Sequence, residues 1–297
     1  MLFGAVSFGN GCADESRGGA LEAPRVAVRR PADAGAADGA EMAPPVPSAN
    51  RGDDPLHDAG TLRAALPEVV TPWCPSPWRG LDENTCWLLP EAAPSSLVIY
   101  LSGIVPPGPP GALQANMQQV VARAALRAGA AVLMPRGRAG LGPAATRSWW
   151  SWPTSKADVD RFAPAMVAGW FAARTRLEAA LGAPFPHTYL AGSSSGAYFL
   201  TSLAVRGAIE VDGLAATAGG GAGTGALSAA PRMPPFYVGF GSGDPAASQL
   251  RGFGKALRGA GWPSLVREHP GGHGAREVYL DEAFAFWSSA DARSEAR

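Results

Sequence analysis

Three short stretches carry side chains that could serve together as a nucleophile, a base and the group that orients the base. Gly192-Ser193-Ser194-Ser195-Gly196 fits the pattern Gly-x-Ser-x-Gly with Ser194 at its centre. An apolar run, His187 to Ala191, leads in, and a run of small and apolar residues, Ala197 to Val205, leads out. Read as strand, sharp turn and helix, the stretch is a turn that strains its central residue and lifts the hydroxyl clear of the sheet edge. Glycines suit the flanks because a Cβ there would strike the neighbouring strand or helix. Ser194 then stands beside a helix N-terminus, where backbone N–H groups favour negative charge.

A serine hydroxyl is a weak nucleophile until a base takes its proton. His273, in the loop Gly271-Gly272-His273-Gly274, can approach such a turn closely. His269 is its rival, but it stands at the end of a predicted strand, where a structural role is expected. The base needs an acceptor for its other ring nitrogen, to fix the tautomer and stabilise the imidazolium. Asp244 follows a predicted strand and fits that part. Asp212 precedes its strand, at the wrong edge, and Asp281 lies within the last predicted helix. An attacked carbonyl becomes an oxyanion that needs fixed N–H donors. The backbone amides of Ser195 and Ile104 are the candidates.

These groups must be held by their elements. The apolar runs Ser96–Leu101, Ala131–Pro135, Thr188–Ala191, Gly213–Thr217, Pro235–Phe240 and Ser264–Glu268 predict strands, the first of the kind covered on both faces. Glu68–Trp73 and Thr85–Leu89 predict two further short strands joined by the turn Pro75 to Thr85. Between the strands, Leu113, Met117, Val120, Val121 and Ala124 follow helical spacing, as do Val159, Phe162, Met166, Trp170, Leu177 and Leu181. Gln249 to Ala260 and Glu277 to Ser288 predict two more helices. Alternating strands and helices imply an α/β fold: a mostly parallel sheet with helices on both faces. In such sheets reactive groups gather at the carboxyl ends of the strands. Ser194, Asp244 and His273 all fall there.

At these residues the chain resembles the α/β-hydrolase superfamily, and within it secreted polyhydroxybutyrate-depolymerase-like and feruloyl-esterase-like serine esterases. The resemblance runs from about Leu97 to Trp287. It is carried by Leu101-Ser102-Gly103-Ile104, Trp150-Ser151-Trp152, the Ser194 turn, Gly241-Ser242-Gly243-Asp244 and Gly272-His273. The order Ser194, Asp244, His273 is the order of that superfamily. Members usually carry His-Gly where this chain has Ser102-Gly103. The resemblance implies a serine hydrolase that cleaves a carboxylic ester of a small molecule or polymer through an acyl-enzyme, with no metal or organic cofactor. The same triad could cleave a thioester or peptide, and an inactive binding protein on the same fold is a further alternative. Trp150 and Trp152, in the loop after the second long strand, are candidates to contact the substrate.

The chain of 297 residues has 25 cationic and 25 acidic side chains, so no basic excess marks a nucleic-acid partner. No apolar run is long enough to span a bilayer. Residues 61–297 predict the hydrolase domain. Residues 13–60, rich in Ala, Pro, Gly, Asp and Arg, read as a disordered tether, and His57 within it as a solvated side chain. The start, MLFGAVSFGNG followed by Cys12, resembles a shortened lipoprotein signal, which makes Cys12 a lipidation candidate and a lipid anchor the chain's link to a membrane. A disulfide between Cys74 and Cys86 is expected if the protein is exported, as an envelope lipoprotein or a secreted protein.

Overall fold

The computed structural model describes residues 68–108, 111–221 and 224–295. The expected tether, Cys12, His57 and the start of the domain at Thr61 lie outside the described residues. Eight strands form one sheet: β1 (Arg79–Asp82), β2 (Thr85–Leu88), β3 (Ser96–Leu101), β4 (Ala130–Pro135), β7 (Thr188–Ser193), β8 (Gly213–Thr217), β9 (Phe236–Gly241) and β10 (Ser264–His269). Their order across the sheet is β1-β2-β4-β3-β7-β8-β9-β10. From β4 to β10 all neighbours are parallel, while β2 runs antiparallel to both β1 and β4. A two-residue ribbon, β5 (Arg138–Ala139) and β6 (Trp150–Ser151), stands apart in the loop after β4.

Strand residues alternate faces, and the two halves of the core follow that period. Leu97, Ile99, Leu101, Leu133 and Leu190 point to the face covered by α2 (Lys156–Leu181), α3 (Ser195–Val205) and α4 (Ala247–Gly259). Val98, Tyr100, Val132, Met134 and Tyr189 point to the face covered by α1 (Ala112–Arg127) and α5 (Glu277–Glu295). Among the described residues no helix is long and apolar enough to cross a membrane.

Two expectations need correction. Glu68–Trp73 is not a strand: it makes a single bridge, Val69 to Gly80, and Val70 is 94% exposed. The first strand is instead Arg79–Asp82, inside the expected turn. Pro72, Pro75 and Pro77 deny the upstream segment regular ladder donors. Gly80 admits the Val69 carbonyl, whose oxygen would stand 2.1 Å from a Cβ. The helical spacing in α1 is right, and Val121 and Ala124 are buried as expected, but the rest of its buried face differs. Leu113 is 74% exposed, and Gln114 and Gln118 turn inward to donate to the Trp73 carbonyl. A disulfide joins Cys74 to Cys86, tying the irregular segment to β2.

Candidate active site

Ser194 occupies the single residue between β7 and α3, at φ 51° and ψ −120°. A non-glycine residue there is strained by about 1–3 kcal/mol, and its surroundings must hold it. They do so through hydrogen bonds. The Ser194 amide donates to Thr217 O at 3.0 Å, and its carbonyl accepts from Ala197 N and Tyr198 N. Close packing completes the clamp. A Cβ on Gly196 would lie 2.3 Å from Leu101 O, and one on Gly103 would lie 3.2 Å from Ser194 Cβ. The sequence therefore uses glycine where β3, its following loop and the turn converge. The neighbouring hydroxyls are less available: Ser193 and Ser195 are buried, and Ser195 Oγ has no hydrogen-bond partner among the described residues. Ser194 is the partly exposed one.

The Asp244 side chain is fully buried and divides its two oxygens. Oδ2 lies 2.9 Å from His273 Nδ1, and Oδ1 accepts from Ala246 N at 2.8 Å. The carboxylate thus both holds the imidazole and shapes the turn into α4. The two loops are laced by backbone: Ser242 N donates to His269 O and Gly243 N to Gly271 O, each at 2.8 Å. A Cβ on Gly241 would lie 2.2 Å from Gly271 O, so glycine lets the acid loop reach the histidine loop. His273 is about half exposed. No hydrogen bond joins it to Ser194 among the described residues, so the Asp244–His273 pair is formed and the Ser194–His273 contact is open. Catalytic contacts of this kind commonly tighten only with substrate bound.

The rivals sit elsewhere. His269 Nε2 lies 3.1 Å from Glu282 Oε2, which also accepts from Tyr237 Oη at 2.7 Å. Asp212 Oδ2 accepts from Thr188 N at the opposite edge of the sheet. Asp281 is engaged with Arg127.

The loop after β3 carries Ile104. It is held on both sides: Trp152 Nε1 donates to Ser102 O at 2.7 Å, and Val105 and Trp150 exchange backbone hydrogen bonds of 2.9 and 2.8 Å. Ser195, as the first residue of α3, has an amide with no acceptor inside its own helix. The Ile104 amide makes no hydrogen bond among the described residues. Trp152 is not a substrate contact. It is wholly buried, stacked on Phe199 at 5.8 Å and edge-on to Trp170. An indole between two helices of the core is worth more there as packing and as a donor to the loop. Trp150 is half-buried at the active edge, under the guanidinium of Arg136.

Two neighbours were not singled out from sequence. Tyr198 Oη donates to Gln249 Oε1 at 3.0 Å, and Gln249 Nε2 donates to Gly220 O at 2.9 Å, linking α3, α4 and the loop after β8. Burial raises the Tyr198 phenol above its ordinary value; Gln249 works against the rise and the charge of Asp244 adds to it. The position of Tyr198, one turn into the helix that Ser194 precedes, is the signal that could have found it. Cavities of about 590 and 740 Å³ lie away from Ser194, one beside Cys74 and Trp78, the other beside His187 and Phe284. Among the described residues no three His, Cys, Asp or Glu side chains converge as metal ligands.

By sequence, no family model and no curated protein matches the chain. By structure, esterase PE8 matches at a TM-score of 0.51 and 20% identity, over 68% of this chain and 96% of its own. SOBER1 of Arabidopsis thaliana matches at 0.50 and 16%, over 65% and 98%, and esterase Est22 at 0.50 and 16%, over 70% and 75%. The chain has the α/β-hydrolase fold. Within this fold, β7 and α3 form the turn that carries Ser194, the loop after β9 carries the buried Asp244, and the loop after β10 carries His273.

Proposed function

We propose that the chain is a serine hydrolase that cleaves a carboxylic ester through an acyl-enzyme. The observation that carries this is the pairing of a fully buried Asp244 with His273 at 2.9 Å on the same sheet edge as the strained Ser194. Ser194 Oγ attacks the ester carbonyl carbon while its proton passes to His273 Nε2. Asp244 Oδ2 accepts from Nδ1–H, which fixes the tautomer and stabilises the imidazolium. The Ser195 and Ile104 amides hold the oxyanion. The intermediate collapses, the alcohol leaves with the proton from His273, and water activated by the same imidazole hydrolyses the acyl-enzyme. PE8 and Est22, which share the fold, are esterases by name, in keeping with this reading.

The substrate is a small-molecule or polymeric ester. The Cys74–Cys86 disulfide supports an exported protein, since such bonds persist in oxidising compartments. Cys12 is the proposed lipid attachment. Hydrolysis of p-nitrophenyl esters of rising chain length by the wild type and by Ser194→Ala tests the chemistry. Turnover that the substitution abolishes is expected; equal turnover by both would overturn the assignment of Ser194.

A further inference from the structure

Arg136 stands directly after β4. The strand register aligns Leu133 with Ile99 and Ile99 with Leu190. Three residues further along each strand, Arg136 is level with Ser102 and with Ser193. It is two strands from the elbow, a lateral distance of about 10 Å. Its guanidinium lies 3.7 Å from the centre of the Trp150 ring and 5.2 Å from that of Trp73. Trp150 is the residue that exchanges backbone hydrogen bonds with Val105, beside Ile104. The cation is therefore built onto the loop that supplies the proposed oxyanion donor.

This arginine has aromatic faces but no anion. Arg127, Arg174, Arg206 and Arg251 each meet a carboxylate. Arg136 meets none among the described residues, and its Nε–H is buried without an acceptor. Burial alone acts on it, lowering its pKa. A guanidinium with an indole on its face keeps the edge free, and that edge matches a carboxylate in two parallel hydrogen bonds. The Nε–H is closed off, so a ligand carboxylate would meet the two terminal nitrogens.

We propose that Arg136, on its Trp150 platform, binds a free carboxylate of the substrate, so that the preferred esters are half esters of dicarboxylic acids. The proposal rests on the serine hydrolase reading for its reaction but not for its binding site. Two experiments on the full chain separate the two. Titration calorimetry with adipate measures the site alone: the wild type binds, and Arg136→Gln binds at least tenfold more weakly. Rates with monomethyl adipate and methyl hexanoate, equal in acyl length, measure its use. The ratio of their kcat/KM values favours the half ester in the wild type and falls at least tenfold in Arg136→Gln. No adipate binding by the wild type, or a ratio that the substitution leaves unchanged, overturns the proposal. Adipate binding lost in Arg136→Gln, with no turnover of either ester by the wild type, upholds the carboxylate site and removes the hydrolase reading. If Arg136→Gln does not fold, Arg136→Lys keeps the charge without the planar fork. It is expected to bind adipate at least fivefold more weakly, and wild-type binding by it overturns the proposal.

Discussion

Replacing Asp244 by Asn separates what this residue does for the fold from what it does for His273. Asp244 Oδ1 accepts from Ala246 N at 2.8 Å, and Oδ2 lies 2.9 Å from His273 Nδ1. An amide can keep the first contact, because its oxygen still accepts. Its NH₂ would then face His273 and donate to Nδ1, which forces the proton onto Nε2. That tautomer cannot take a proton from Ser194. The loss expected is about ten-thousandfold in kcat, the scale for a triad locked in the wrong tautomer. At 1.36 kcal/mol per tenfold, this is about 5.4 kcal/mol of transition-state stabilisation. Stability should change by no more than about 1 kcal/mol, since one neutral hydrogen bond replaces a charged one. Asp244→Ala instead also strands the Ala246 N–H and should cost about 1–3 kcal/mol of stability. The assay is p-nitrophenyl butyrate hydrolysis alongside urea denaturation of each variant. Asp244→Asn with stability retained and a rate within tenfold of the wild type would refute the orienting role.

Gly196→Ala would push a Cβ to 2.3 Å from Leu101 O, so the turn must shift; a loss of about 1–3 kcal/mol is expected in urea denaturation, and an unmoved midpoint would contradict the packing account. Reduction of the Cys74–Cys86 bond, which spans 12 residues, should lower stability by about 3 kcal/mol and the melting temperature with it; an unchanged melt would remove that contribution. Burial pushes the Tyr100 phenol from 10.0 up to about 12. The unfolded chain therefore loses this proton first: the contribution is intact below pH 10 and is lost as pH rises from 10 to about 12. Tyr100→Phe should flatten stability across that window, and an alkaline slope identical to that of the wild type would count against it.

The parts of this site that could be read in sequence are those built from local rules. Gly192 and Gly196 flank a serine between an apolar run and a helix, and the structure puts a strained residue there because both glycines allow close approach. Asp244 and the His273 loop follow strands, and strand ends are where a parallel sheet presents its loops. What could not be read depends on long-range packing. The Trp149-Trp150-Ser151-Trp152 run does not reveal which indole faces the core; Trp152, just past the end of β6, is enclosed by Trp170 and Phe199 from two helices distant in sequence, while Trp150 stays half-buried at the edge. Gln114 and Gln118 break the apolar pattern of α1 because their acceptor, the Trp73 carbonyl, lies more than forty residues away in sequence. Arg79–Asp82 does not read as a strand because its four residues, Arg-Gly-Leu-Asp, carry no apolar run, and its pairing with β2 across a tight turn makes it one. Arg136 gave no local sign, since its two aromatic partners come from either side of it in the chain.

The central claim is that Ser194 is an activated nucleophile. Incubation of the folded protein with a fluorophosphonate, followed by peptide mapping by mass spectrometry, tests it directly. The account predicts one stoichiometric adduct on Ser194, absent from Ser194→Ala and strongly slowed in Asp244→Asn. A folded protein that takes up no probe, or an adduct on Ser193 or Ser195 instead, would contradict it.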